Sequence, residues 1–229
     1  MYKISKRVFI RVLISLFLLL GFTLLVRDWV GLRLLTSTPK ILKYRPVIQK
    51  HASEQSLDWR LITALIIQES GFKETAVSSA GAQGLAQLMP ETAKELGISD
   101  PFHSEKSIEG GSRYLRKLYD LYPDSTHSDR IRIALASYNG GRGHILDAQK
   151  IATYQQDNPH TWSSLSSCIS LLSKKNRDLH RKIWREGIPP HGYFEGFRET
   201  QSYVHKVMMY YDRLCYLSNV INKLRFTST

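Results

Sequence analysis

Residues 59–71 read Trp59-Arg60-Leu61-Ile62-Thr63-Ala64-Leu65-Ile66-Ile67-Gln68-Glu69-Ser70-Gly71, an apolar helical pattern with one carboxylate near its end. Steps of three and four residues link Ile62, Leu65 or Ile66, and Glu69, so a helix projects the acid from the face that carries core residues. An unpaired carboxyl in apolar surroundings favours its neutral form. The C-terminal end of a helix, here just before Gly71, also disfavours negative charge. Both effects keep a proton on Glu69 nearer neutral pH, which is what a general acid needs. Taken alone, the same residue reads sooner as a glutamate at a frayed helix end reaching into water; the motifs that follow reverse that preference.

Outward from this helix, everything past residue 50 reads as helices joined by loops, without alternating β patterns. His51 to Ser70 reads as one or two helices, with Asp58 as an N-cap. Pro90 opens a short helix that ends before Gly97. From Ser107 to Tyr122, Ile108, Leu115, Leu118 and Tyr122 share one face. Asp129 to Tyr138 is strongly apolar and breaks at Asn139-Gly140-Gly141. Further helices are expected over Gly143 to about Gln155, Trp162 to Ser173 and Phe197 to about Leu217, with Pro189-Pro190 interrupting the chain before the last. The expectation is an all-α domain of about 170 residues, large enough to bury a core.

Several polar residues stand where the backbone turns. In Ser78-Ser79-Ala80-Gly81-Ala82-Gln83-Gly84-Leu85-Ala86-Gln87-Leu88-Met89-Pro90, Gly81 and Gly84 permit close backbone approach to a ligand, or simply make a turn. Gln87 offers an amide suited to an N-acetyl group or hydroxyl, and equally to a local hydrogen bond. Met89 suits a sugar face or a core. Tyr138 and Asn139 sit where a helix breaks at two glycines, a place to present polar groups into a cleft, or a plain turn. Glu199 and Tyr203, four residues apart, face one side of the last helix, as site groups or as a structural pair.

Taken together, the segments Glu69-Ser70-Gly71-Phe72, Ser78 to Pro90, Ala136-Ser137-Tyr138-Asn139-Gly140-Gly141 and Glu199-Thr200-Gln201-Ser202-Tyr203-Val204 resemble the motifs of the lytic transglycosylases with a goose-lysozyme-like fold. They occur in the family's order and cover about residues 56–215. The stretches His144–Ala148 and Leu171–Lys175 look closest to the membrane-bound type F branch. The resemblance implies a goose-type, lysozyme-like helical domain over residues 51–222, with 223–229 as a tail. It implies that peptidoglycan glycan strands are the substrate and that Glu69 acts first as acid and then as base. The products would be 1,6-anhydromuramoyl ends, formed without metal or organic cofactor. Ser78, with Ser79 as the alternative match, would lie near the acid and the reacting sugar. Gln87, Met89, Tyr138 and Asn139 would hold the sugar and its acetamido group, supported by Glu199 and Tyr203. Ala86 departs from the family, where methionine often precedes the motif glutamine, and this smaller side chain is expected to widen a subsite. A hydrolytic muramidase of the same fold and a non-catalytic wall-binding module are the competing readings.

The N-terminal region carries a different signal. Val8 to Val26 reads VFIRVLISLFLLLGFTLLV, with Arg11 as its single charge, long enough at helical rise to span a bilayer. Lys3, Lys6 and Arg7 precede it and predict a cytoplasmic N-terminus, with the remainder exported. The run ends in Val26-Arg27-Asp28-Trp29, without a small-x-small cleavage pattern, and no lipoprotein cysteine follows it. Residues 1–30 therefore read as a cytoplasmic tip and anchor, which brings membrane lipid against residues 8–26. Residues 31–50, with Pro39, Pro46 and many basic residues, read as a loose stalk. Residues 1–60 hold 11 Lys/Arg against 3 Asp/Glu, and residues 61–229 hold 21 against 17. The domain is thus nearly balanced, which argues against a nucleic-acid partner. Cys168 and Cys215 lack the spacing of a thiolate zinc site; in an oxidising compartment they are able to pair, and otherwise they stay as thiols.

Overall fold

The computed structural model describes residues 28–226, together with residues 14, 15 and 21. The anchor segment Val8 to Val26 otherwise lies outside the described residues, and no described helix is long and apolar enough to cross a membrane. The described residues fall into two compact units that divide between Leu42 and Lys43. Helix α1, Trp29–Glu54, begins in the first and ends in the second. In the first unit the Asp28 carboxylate accepts the Gly31 N–H at 3.0 Å, which satisfies one free donor at the helix start.

Residues 31–50, expected as a loose stalk, are helical instead: Pro39 and Pro46 both lie within α1. In the second unit Tyr44, Ile48 and Ala52 recur every fourth residue and are buried. Tyr44 stacks on Phe72 with ring centroids 5.6 Å apart, and the Arg45 guanidinium lies 4.9 Å over the Trp59 ring. Burying an aliphatic side chain is worth ~1.5–3 kcal/mol. A few such groups offset the ~3 kcal/mol that proline costs inside a helix.

The rest of the second unit is α2 (Trp59–Glu69), α3 (Pro90–Glu95), α4 (Ser104–Asp120), α5 (His127–Gly140), α6 (Arg142–Tyr154) and α7 (Trp162–Ser170). A 3-10 turn, Lys174–Asn176, leads into α8 (Arg177–Ile183), and α9 (Phe197–Phe226) closes the unit. No strand occurs among the described residues, only isolated bridges pairing Val77 with Gln83 and Gln83 with Leu88. Three details differ from expectation. The helix at Trp162 stops at Ser170 instead of Ser173, α8 is additional, and α9 runs on past Leu217. Cys168, buried, and Cys215, half-buried, are both free thiols.

α2 is apolar on all sides because it lies inside the unit; every residue from Leu61 to Ile67 is buried. α9 packs along α2 and α5, and α5 also touches α4, α6 and α7. This arrangement puts the end of α2, the break after α5 and the first turns of α9 around one space.

Candidate active site

Glu69 is the last residue of α2. At the other end Asp58 caps the helix by accepting the Arg60 N–H at 2.8 Å, as its sequence position predicts. After Glu69 the chain leaves the helix through Gly71 and Phe72, both at positive φ, and buried Phe72 locks this exit against Tyr44. The Ser70 hydroxyl donates to the Leu85 carbonyl at 2.8 Å, tying the end of α2 to the following loop.

Glu69 lines a cavity of about 560 Å3 together with Ser78, Gln87, Met89, Tyr138, Asn139, Glu199 and Tyr203. The candidate acid and the seven candidate binding residues are therefore brought to one space, whereas Gly81, Gly84 and Ala86 do not line it. Gln68, Ser79, Ala80, Ala82, Ser202 and Lys206 complete the lining. Ser79 stands beside Ser78 in that wall, so geometry leaves both serines in place.

The Tyr203 hydroxyl donates to Glu69 Oε1 at 2.5 Å, across 134 positions of sequence. It reaches to α2 instead of along its own helix to Glu199, whose side chain is exposed. Burial pushes the Glu69 carboxyl up to about 7, and the Tyr203 hydrogen bond pulls against that shift. Burial, reinforced by a charge on Glu69, holds the phenols of Tyr203 and Tyr138 well above their usual value, so both stay neutral donors.

The loop between α2 and α3 uses its polar groups on itself. Gln87, at φ 48°, donates its amide N–H groups to the carbonyls of Ala76 at 3.1 Å and Gly84 at 2.9 Å. Its carbonyl oxygen is what remains for a ligand. Ser78 Oγ accepts the Ala82 N–H at 3.0 Å, which leaves its own O–H to give. Gly84 is required structurally: it has φ 75°, and a Cβ there would lie 1.8 Å from the Pro101 carbonyl oxygen. Ala86 is fully buried against Gly111 and does not line the cavity, so its small side chain lets α4 approach instead of widening a subsite.

At the break after α5, the Tyr138 hydroxyl donates to the Ala86 carbonyl at 2.7 Å, pinning the loop to α5. Its proton is thereby committed within the protein. Buried Thr200, on α9, donates to Asn139 Oδ1 at 2.8 Å and so turns the amide nitrogen of Asn139 free. Gly140 makes this contact possible, since a Cβ there would lie 2.7 Å from Thr200 Oγ1 and 2.9 Å from the Phe194 ring. Thr200 went unnoticed in the sequence as a site group, although it sits directly after Glu199 and three residues before Tyr203. Among the described residues no cluster of three His, Cys, Asp or Glu side chains is arranged to hold a metal.

The family model of the transglycosylase SLT domain matches residues 46–161, half of the chain. The chain belongs to the transglycosylase SLT domain family. The SLT match carries Glu69, the glycine loop and Asn139, whereas the α9 wall with Glu199, Tyr203 and Lys206 lies beyond it. The chain is 38% identical over 176 residues to the membrane-bound lytic murein transglycosylase F of Desulfosudis oleivorans, covering 76% of this chain and 37% of that protein. With the protein of the same name from Shewanella woodyi it is 39% identical over 186 residues, covering 81% and 36%. The chain thus spans little more than a third of the length of these relatives. The crystal structure of the 70 kDa soluble lytic transglycosylase of Escherichia coli shares the fold, with a TM-score of 0.51 at 21% identity over 76% of this chain and 24% of that one.

Proposed function

We propose that this chain is a lytic transglycosylase of peptidoglycan in which residues 51–222 form the catalytic domain and residues 8–26 anchor it in the inner membrane, facing the periplasm. The single observation that carries the reading is the Glu69 carboxyl: desolvated, held by one neutral tyrosine, and still protonated near neutrality inside a polar cavity. The relatives' name, membrane-bound lytic murein transglycosylase F, supports both the substrate and the membrane.

Glu69 gives its proton to the oxygen of the β-1,4 bond between N-acetylmuramic acid and N-acetylglucosamine. The bond from the anomeric carbon to that oxygen breaks, and the acetamido carbonyl of the muramic sugar stabilises the cation. Glu69, now ionised, takes the proton of the C6 hydroxyl as O6 bonds to the anomeric carbon. The 1,6-anhydro ring closes, Glu69 is protonated again, and no water is consumed. Tyr203 holds the carboxylate in place between the two transfers. The free amide nitrogen of Asn139, the carbonyl of Gln87 and the hydroxyl of Ser78 are set to bind the acetamido group and ring, with Met89 against the sugar face and Glu199 at the rim.

Glu69→Gln keeps the shape and the acceptor for Tyr203 but removes the proton donor. Cleavage of isolated sacculi should fall by ~10²–10⁴-fold or more, with anhydromuramoyl ends as the wild-type product in mass spectra. Near wild-type cleavage by that variant would sink the assignment. A hydrolytic muramidase is the second reading, because Glu199 puts another carboxylate in the cavity. Reducing muramoyl ends would decide for it.

A further inference from the structure

Lys206 lines the same cavity as Glu69 and Glu199, and among the described residues it is the single lysine or arginine that does so. Among the described residues it enters no ion pair. Nor does it act on the acid: the shift of Glu69 has two causes, burial and the Tyr203 hydrogen bond. Its ammonium is therefore uncommitted in a polar space built to receive a ligand.

Helical spacing fixes where that charge stands. Lys206 follows Tyr203 by three residues and Glu199 by seven, so all three share one face of α9. At helical rise Lys206 lies ~4.5 Å along the axis from Tyr203, the partner of Glu69, and ~10.5 Å from Glu199. The cavity is thus cationic at one end of this face and anionic at the other, with the acid between. A cation close to an acid that must keep its proton opposes that acid's role. The useful work of such a group is to meet a negative ligand.

We propose that Lys206 is the cavity's carboxylate-binding residue, pairing with the anionic substituent of the muramic sugar seated beside Glu69. The inference rests on the glycan-cleaving function above. N-acetylglucosamine carries no carboxylate, so a cation here distinguishes the two sugars of the repeat. Glu199 repels the same substituent at the opposite end, which favours one direction of the strand; discrimination by repulsion adds to the attraction. The carboxylate has two possible sources: the lactyl group of a peptide-free strand, or the stem peptide.

The test compares three kinds of strand: peptide-bearing, amidase-stripped with free lactyl carboxylates, and stripped with those carboxylates converted to neutral methylamides. The full chain carries Lys206 or Lys206→Met, Lys206→Gln and Lys206→Arg. The wild type should prefer the charged strands. Lys206→Met and Lys206→Gln should raise KM about five- to tenfold, with kcat less affected, and erase the preference for charged over neutralised strands. Lys206→Arg should restore most of it, and added salt should weaken the wild-type preference. A KM effect confined to peptide-bearing strands assigns the stem peptide; one confined to stripped strands assigns the lactyl group. A wild type without preference, or a methionine variant that keeps it, overturns the proposal while leaving the transglycosylase reading intact. If no strand is cleaved, that reading fails first. Binding of the same strands to Glu69→Gln, with and without Lys206→Met, then decides, and equal affinities overturn the role of Lys206.

Discussion

Glu69 and Glu74 stand five residues apart on either side of the exit from α2, and each accepts a hydrogen bond from a tyrosine hydroxyl. Their proton affinities nevertheless move in opposite directions: Glu69 is pushed up to about 7, and Glu74 is held down at about 2. Glu74 takes the Tyr44 hydroxyl together with the Lys43 ammonium at 3.1 Å, and 42% of its side chain is exposed. At Glu69, burial is the leading cause and Tyr203 the opposing one, with no cation contributing. A tyrosine hydroxyl favours the carboxylate in both places. Water and a cation beside the group decide which way the balance falls.

The largest effect that would sharpen this contrast is on stability. The folded pKa of Glu69 lies above its unfolded value of 4.5, so between about 4.5 and about 7 the folded chain binds the extra proton. Stability is then lost as pH rises through that window. The upper bound is ~3 kcal/mol, reduced by whatever water reaches the half-buried side chain. Glu69→Gln, which cannot ionise, should be more stable than wild type at pH 8 by up to that amount, and no more stable below pH 4.5. Urea unfolding across a pH series reads the difference. A gap that does not change with pH would mean that desolvation is not the cause.

A smaller effect isolates the tyrosine. Tyr203→Phe removes the group that pulls the Glu69 pKa down, so the alkaline limb of the activity profile should move to higher pH. The rate should fall by about tenfold, as expected for one lost hydrogen bond to a charged group. A limb that moves to lower pH would break the comparison.

The smallest effect belongs to the outer glutamate. The folded pKa of Glu74 lies below 4.5, so its contribution is present above that pH and fades as pH falls towards about 2. The pair is exposed, so Glu74→Gln should lower Tm at neutral pH by no more than ~2 °C. Glycan cleavage should be unchanged. A large loss in calorimetry would show that Tyr44 and Lys43 hold the exit from α2 more firmly than their exposure implies.

Much of this was legible in the chain. Ile62, Leu65, Ile66 and Glu69 share a helical face at steps of three and four, and that periodicity survives in the buried α2. Glycines at the break after Asn139 ended α5 where expected. α1 was hidden because Pro39 and Pro46 are strong local breaker signals, and the four-residue repeat of Tyr44, Ile48 and Ala52 is short. α8 is seven residues, mostly charged, with little periodicity to detect. Ala86 misled because spacing from Gln87 does not reveal that it faces Gly111.

The sequence by itself determined the helical class, the candidate acid and the grouping of polar residues at chain breaks, because these depend on patterns within a few turns of helix. Tertiary structure alone decided which oxygen each hydroxyl meets. Tyr203 crosses 134 positions to reach Glu69 instead of its own-helix neighbour Glu199, and Thr200 crosses 61 to orient Asn139. Proton affinity follows from those meetings and from the exclusion of water, and both arise only when α9 closes over α2 and α5.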